Sequence, residues 1–149
     1  MTPEEIQRKD LRNVCYHEHA HGQVAWHYGI PSIVEVEPNE TPNPLEEKTW
    51  GGRCWYYSSL GLGERRRMIG LAGELAVLLL EEPDLHPQDA FDHLDLDPHA
   101  LSETDRAFAG PLTYEDVEAC MGLVRQLWPK IERAAEYEIL KALTLTGEE

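Results

Sequence analysis

The chain has 149 residues, of which 42% are hydrophobic and 28% are charged, and its formal net charge is -15 at pH 7. This length suits a single domain, residues 1–149, with a core of its own. The acidic excess argues against nucleic acid and anionic membranes as partners, because both would repel the protein.

The cysteines and the amino terminus indicate a compartment. Cys15, Cys54 and Cys120 are odd in number and form no C-x-x-C motif, which favours a reducing environment over a disulfide framework. Residues 1–5 contain no basic region followed by an apolar run, and the most apolar stretch, residues 75–80, is too short to span a bilayer. We therefore expect a cytoplasmic protein.

The first predicted helix has clear signals at both ends. Thr2 is a suitable N-cap, Pro3 suits the first helical position, and Glu5 completes a T-x-x-E capping box. Gly29 and Pro31 are expected to end the helix.

This helix contains the motif H-E-x-x-H, formed by His17, Glu18 and His21. Residues four apart share one face of a helix, so both imidazoles can reach a single metal ion. Both histidines also fall on the stripe predicted to face the core, where polar groups need partners. The residues therefore favour a metal site, and the alternatives are hydrogen-bonded core histidines or a chance occurrence of the motif. The stripe comprises Val14, His17, His21, Val24, Ala25 and Tyr28.

A small β element is predicted after this helix. Residues 32–37 alternate apolar and polar side chains, and residues 53–57 form a second, aromatic-rich strand. Residues 38–44 are rich in proline and asparagine, which is typical of a turn. The strand pair either caps the helical core or offers an edge to an extended peptide.

The second predicted helix, residues 63–82, reads as a buried central helix because residues 68–80 carry only one charge, Glu74. Gly70 and Gly73 lower the helix propensity, but they allow another helix to approach closely. Three roles are open for Glu74: metal ligand, partner of a histidine, or polar group at the rim of the core. The pattern favours a supporting or structural role over direct ligation.

The remainder of the chain is predicted to be a loop followed by helices. Residues 83–104 are strongly acidic and predict a solvated loop near the site, with a second metal site as the alternative. Ser102 is predicted to cap a short helix with Asp105 in its first turn. Thr113 caps a further helix, and Pro129 starts the last one. The sequence thus predicts a mainly α fold with a small β hairpin or sheet after the first helix.

The sequence H-E-H-A-H-G-Q-V-A-W-H-Y-G-I-P at residues 17–31 resembles the H-E-A-G-H-A-x-V-A signature of the peptidase domain of FtsH-type ATP-dependent zinc metalloproteases. Further matches follow in the family's order: strands at residues 33–37 and 51–53, an L-x-G-x-x-A sequence at residues 71–76, and an S-N-D-like turn at residues 103–105. The resemblance covers most of the chain and implies a helical, zincin-like peptidase domain.

The resemblance also implies a set of site residues. By position, His17, His21 and Asp105 would hold a zinc ion, and Glu18 would be the general base. Three protein ligands leave the fourth position to water, as in catalytic zinc sites. Zinc lowers the pKa of such a water towards about 7, and Glu18 would pass its proton to the leaving amine. The implied activity is hydrolysis of peptide bonds.

The chain departs from the family pattern at three places. His19 and Ala20 replace Ala-Gly inside the motif, which puts a large side chain near the site. Val77 replaces a family glutamate, and the acidic loop is longer. The 149 residues also contain no G-x-x-x-x-G-K-[ST] phosphate loop, for which residues 61–63 are no substitute.

These departures shape the expected function. Loose peptides or unfolded polypeptides are the expected substrates, either directly or with a separate ATPase or self-association as a partner. The alternative is a non-catalytic metal-binding or protein-interaction module that retained the site geometry. Intact Glu18 favours the enzyme, because a module that only binds metal has no need of a base there.

Overall fold

The computed structural model describes residues 1–43, 48–57 and 65–145. About 70% of it is helical, with five helices and a small antiparallel sheet after the first helix in the described residues. This confirms the predicted mainly α fold. The elements in chain order are α1 (Pro3–His27), β1 (Ser32–Asn43), β2 (Lys48–Tyr56), α2 (Arg65–Glu81), α3 (Pro87–Leu96), α4 (Glu103–Ala109) and α5 (Tyr114–Leu145).

Helix α1 is the central element, since it contacts α2, α5 and both strands. It begins as predicted: the Glu5 backbone N–H donates to the Thr2 hydroxyl at 3.2 Å, and Pro3 occupies the first helical position. It ends as predicted too, because Gly29 follows with a φ of 76°, a conformation that suits a residue without a side chain. The local signals are therefore enough to set both ends of this helix.

The core lies between α1, α2 and α5, and it confirms α2 as a buried central helix. Burying each large aliphatic side chain contributes about 1.5–3 kcal/mol, so this cluster holds the three helices together. The predicted start of α2 at Gly63, and residues 61–63 as a whole, lie outside the described residues. The largest fully buried side chains are Leu11, Cys15, Val24, Ile69, Leu71, Leu75, Val117, Cys120, Met121, Val124 and Ile131.

The sheet is longer than the sequence predicts. The turn expected at residues 38–44 is wrong for residues 38–43, which continue β1, while Pro44 lies outside the described residues. Strand β2 likewise begins at Lys48 rather than at residue 53. Proline is tolerated on an edge strand, and the pairing register shifts between Pro38 and Asn43. The predicted pairing of a sheet edge with a peptide stays a prediction.

Asp10 anchors β2 to α1. Its Oδ2 accepts hydrogen bonds from the Thr49 backbone N–H at 2.7 Å, the Thr49 hydroxyl at 3.0 Å and the Trp50 backbone N–H at 2.6 Å. Hydrogen bonds to a charged group contribute about 1.5–3 kcal/mol each, and this carboxylate is only 9% exposed. The anchor holds the next residues of β2 against the middle of α1, where the H-E-x-x-H motif lies.

The acidic segment 83–104 is not the single loop that its composition predicts. Its middle forms α3, in which Pro87 takes the first turn and Ala90 and Leu94 are buried one turn apart. The His86 side chain accepts a hydrogen bond from the Gln88 backbone N–H at 3.1 Å and so caps the helix. The acidic side chains point outwards, and burial of the small apolar face decides the conformation.

The two helices predicted at the end of the chain form a single helix, α5. Helix α5 runs through Pro129 without ending, although the missing N–H removes one backbone hydrogen bond. Leu127 and Ile131, before and after the proline, are both buried on the same apolar face, and their burial outweighs that loss. Neither α5 nor any other helix in the described part of the chain is both long and apolar enough to cross a membrane.

Candidate metal centre

Two histidines of α1 and one aspartate of α4 meet at one point. The Nε2 atoms of His17 and His21 lie 3.1 Å apart, and each lies 3.1 Å from Oδ2 of Asp105. Among the described residues, these three side chains form the group that could hold a metal ion. His17 and Asp105, which are 88 positions apart in the sequence, are thus brought together.

A backbone carbonyl orients His21. A carbonyl only accepts hydrogen bonds, so the contact between Nδ1 of His21 and the Ile69 oxygen places the proton on Nδ1. In the neutral ring, Nε2 then carries a lone pair and cannot donate to Asp105. Two lone pairs therefore face each other at 3.1 Å, an arrangement that a cation between them would relieve.

Asp105 reaches this point because α4 lies very close to α2. Ser102 caps α4 as predicted, accepting a hydrogen bond from the Asp105 backbone N–H at 3.1 Å. A Cβ added at Gly70 would lie 2.7 Å from the Ala109 backbone nitrogen and 2.8 Å from the Asp105 carbonyl oxygen. The predicted role of Gly70, to admit another helix, is confirmed.

Gly73 provides the space for the two imidazoles. A Cβ added there would lie 2.7 Å from His17 Nε2 and still closer to His21 Nε2. Both distances are below 3.0 Å, a separation that real Cβ atoms essentially never show, so an added Cβ would clash with the two rings. The helix propensity lost at Gly73 is therefore offset by the room that the paired imidazoles need.

Gly73→Ala is accordingly expected to displace both imidazoles and weaken metal binding by about 10–100-fold or more, the cost of disturbing the surroundings of metal ligands. Competition titration with a metallochromic indicator measures the affinity. The control is Gly122→Ala at an exposed position of α5, where an added Cβ meets nothing within 4 Å. Equal affinities for the two variants would contradict the role of Gly73.

Glu18 is buried beside the metal group, with 8% of its surface exposed. It lines a cavity of about 620 Å³ together with His17, His21 and Asp105. Gly52 of β2 makes this possible, because a Cβ there would lie 2.7 Å from Glu18 Cγ. Burial raises the pKa of Glu18, while His17 and His21 act to lower it. A carboxylate of raised pKa next to a metal group is suited to accepting and returning a proton.

The charges at the centre favour an ionised carboxylate. Burial by itself raises the pKa of Asp105, but the close contacts with the His17 and His21 imidazoles outweigh it and hold that pKa well below its usual range. Burial lowers the pKa of His17, and the hydrogen bond to Asp105 raises it, with a net increase. Asp105 is thus ionised at neutral pH, as a metal ligand must be.

Two other sequence expectations are resolved by position. His19 contacts Glu138 of α5 at 3.4 Å and lies outside the cavity lining, so the expectation of a large side chain near the site is wrong. Residues two apart on a helix point in different directions, which explains why His19 faces α5 while His17 and His21 face α2. Glu74 lines the cavity but is not part of the metal group, consistent with the role favoured for it.

Sequence reasoning missed two contacts at this site. The Ile69 carbonyl that orients His21 leaves no signal in a sequence, because every residue has one. His93 of α3 lies 3.5 Å from Glu74 and was hidden in a segment expected to be a loop. The helical spacing of Ala90 and Leu94 is the signal that could have placed it on a helix.

Comparison with known proteins adds no relative. No protein-family model matches the chain, and no curated protein is similar to it. The resemblance to FtsH-type peptidases therefore stays a prediction from the motifs. What the geometry itself establishes is a His17–His21–Asp105 group that could hold a metal ion, with Glu18 beside it in an open cavity.

Proposed function

We propose that the protein is a zinc-dependent metallopeptidase that hydrolyses peptide bonds in unfolded or flexible polypeptides, with Glu18 as general base. One observation carries the proposal. His17, His21 and Asp105 converge with mutual distances of 3.1 Å on the same cavity that the Glu18 carboxylate lines. The motif order that resembles FtsH-type peptidases supports the same function.

The donor set suits zinc. Two imidazole nitrogens and one carboxylate oxygen are ligands that zinc uses in catalytic sites, where the remaining position is left open. Ligands at 2.0–2.1 Å in a tetrahedral arrangement lie about 3.3 Å from one another, close to the 3.1 Å separations here. Bound zinc would activate a water molecule and polarise the scissile carbonyl.

The chain's own residues supply the proton transfer and the binding. Glu18 accepts a proton at its carboxylate and returns it to the leaving amine, a contribution that is typically about 10²–10⁴-fold in rate. Arg53, Cys54 and Tyr56 of β2 also line the cavity, together with residues of α2 and α4. The cavity is open to solvent and holds about 620 Å³, enough for a few residues of extended chain. Folded substrates would need a separate ATPase or self-association to deliver them.

The second candidate, a non-catalytic metal-binding or protein-interaction module, would use the same three ligands. The position of Glu18 weighs against it. Burying a carboxylate costs free energy, and a module that only binds metal would gain nothing from that cost.

Zinc content and peptidase activity test both candidates together. Protein purified without chelators is expected to contain one zinc ion per chain and to cleave a reduced and alkylated, permanently unfolded protein. Removal of zinc with 1,10-phenanthroline should abolish cleavage, and added zinc should restore it. Bound zinc without any cleavage would leave the metal-binding module, and absence of stoichiometric metal would contradict both functions.

A further inference from the structure

Among the described residues that line the cavity, Glu74 is the one acidic side chain that the proposed chemistry does not use. It lies on α2 directly after Gly73, where an added Cβ would clash with both imidazoles, and its side chain is 20% exposed. Its ion-pair partner is His93 at 3.5 Å, and the His93 side chain is 42% exposed. Among the described residues, no lysine or arginine forms an ion pair with Glu74. The carboxylate therefore faces the cavity with only a long, solvent-exposed contact to offset its burial.

The cation that β2 contributes to the cavity lining, Arg53, does not form an ion pair with Glu74. Arg53 lies 3.7 Å from Glu37, and its guanidinium stacks 5.7 Å from the centre of the Trp55 ring. A partly buried carboxylate without a strong partner is costly, and a cation brought by a ligand would remove that cost. The cavity thus has a place for a positive charge at Glu74.

The surroundings of Glu74 indicate what would carry that charge. Val77 lies three residues further along α2, on the same face, and also lines the cavity. Lysine and arginine side chains place their methylene groups along apolar surface and their charged ends at polar groups. An apolar wall that leads to a carboxylate matches such a side chain better than a terminal ammonium, which has no methylene stem.

We propose, on the basis of the peptidase function above, that Glu74 and Val77 form a subsite for a lysine or arginine side chain close to the scissile bond. Both side chains would bind in the same way, through a cationic group held by the Glu74 carboxylate. The formal net charge of -15 acts in the same direction, because it draws basic segments towards the protein.

The test uses the zinc-loaded protein and sets of three fluorogenic peptides that differ at one position. Within each set that position carries lysine, norleucine or glutamate, and norleucine keeps the methylene stem of lysine without its charge. Different sets place the varied residue at different positions on either side of the cleaved bond. Wild type is expected to cleave the best lysine peptide with a kcat/KM about 10–100-fold above its norleucine counterpart, the range for a hydrogen bond to a charged group. Glu74→Gln should abolish this ratio, because glutamine has no charge to hold the lysine ammonium.

The matched control is His93→Asn, which removes the partner and keeps the carboxylate. A subsite predicts that the lysine preference survives in this variant, whereas a purely structural Glu74–His93 contact predicts that both variants behave alike. Peptides with acetylated amino termini separate the two sources of charge, and a preference that disappears on acetylation would replace the side-chain subsite by one for the terminal ammonium.

The outcomes for this inference and for the proposed function are distinguishable. Cleavage of all peptides without a lysine preference in wild type would overturn the subsite and leave the peptidase intact. Cleavage of none would overturn the peptidase. If Glu74→Gln does not fold, the wild-type comparison still tests the subsite, because equal rates for the lysine and norleucine peptides would overturn it.

Discussion

Glu18→Gln is expected to lower kcat for peptide hydrolysis by about 10²–10⁴-fold while zinc stays bound at one ion per chain. Glutamine has nearly the same shape as glutamate but cannot accept the proton, and the His17–His21–Asp105 group does not include residue 18. Steady-state kinetics on an unfolded protein substrate measure the activity. Zinc content is measured on the same samples by mass spectrometry, so that a loss of metal is not mistaken for a loss of the base.

The control for this prediction is Glu118→Gln, which makes the same chemical change on an exposed part of α5. This variant is expected to keep wild-type kinetics and zinc. A Glu18→Gln protein that cleaves as fast as wild type would show that another group accepts the proton. One that loses zinc would show that Glu18 helps to hold the metal.

Asp105→Ala is expected to weaken zinc binding by more than about 100-fold and to abolish cleavage. Loss of a direct ligand should exceed the 10–100-fold typical of disturbing a supporting partner. It would also leave His17 and His21 facing each other at 3.1 Å without the carboxylate that each contacts. Zinc affinity is measured by competition with a chelator of known affinity, and folding by circular dichroism.

Asp92→Ala is the matched control, because it removes an exposed carboxylate of α3 from the segment that the sequence also allowed as a second metal site. Unchanged zinc affinity is expected. If Asp105→Ala instead keeps full affinity, a different acid must be the third ligand. Glu74 lies on the wall of the same cavity and would be the first residue to mutate in a search for that ligand.

Local sequence signals account for much of the fold. The capping residues Thr2 and Ser102 act as their types predict, because an N-cap hydrogen bond involves only residues three positions apart. The apolar run of α2 is long enough to identify it as the buried helix without knowledge of its neighbours. The same local reasoning explains the roles of Gly70 and Gly73, since both lie on the face that other helices approach.

Where local signals failed, contacts from distant residues decided the conformation. Pro129 in α5 and Pro38 in β1 break an element only while nothing compensates for the lost hydrogen bond. Packing of Leu127 and Ile131 compensates in α5, and pairing with β2 does so in β1. The many charges of the acidic segment suggested a loop. The helical conformation of α3 depends instead on a narrow apolar face, which the overall composition does not reveal.

The sequence by itself determined the ligand spacing, because the rise of an α-helix places His17 and His21 on one face wherever the helix lies. It also pointed to Asp105 as the third ligand, but only through the resemblance to FtsH-type peptidases. The tertiary structure alone decided that Asp105 reaches the histidines, that the Ile69 carbonyl orients His21, and that His19 faces α5. The physical reason is that metal geometry depends on distances between residues far apart in the chain, and only the packing of α1, α2 and α4 sets those distances.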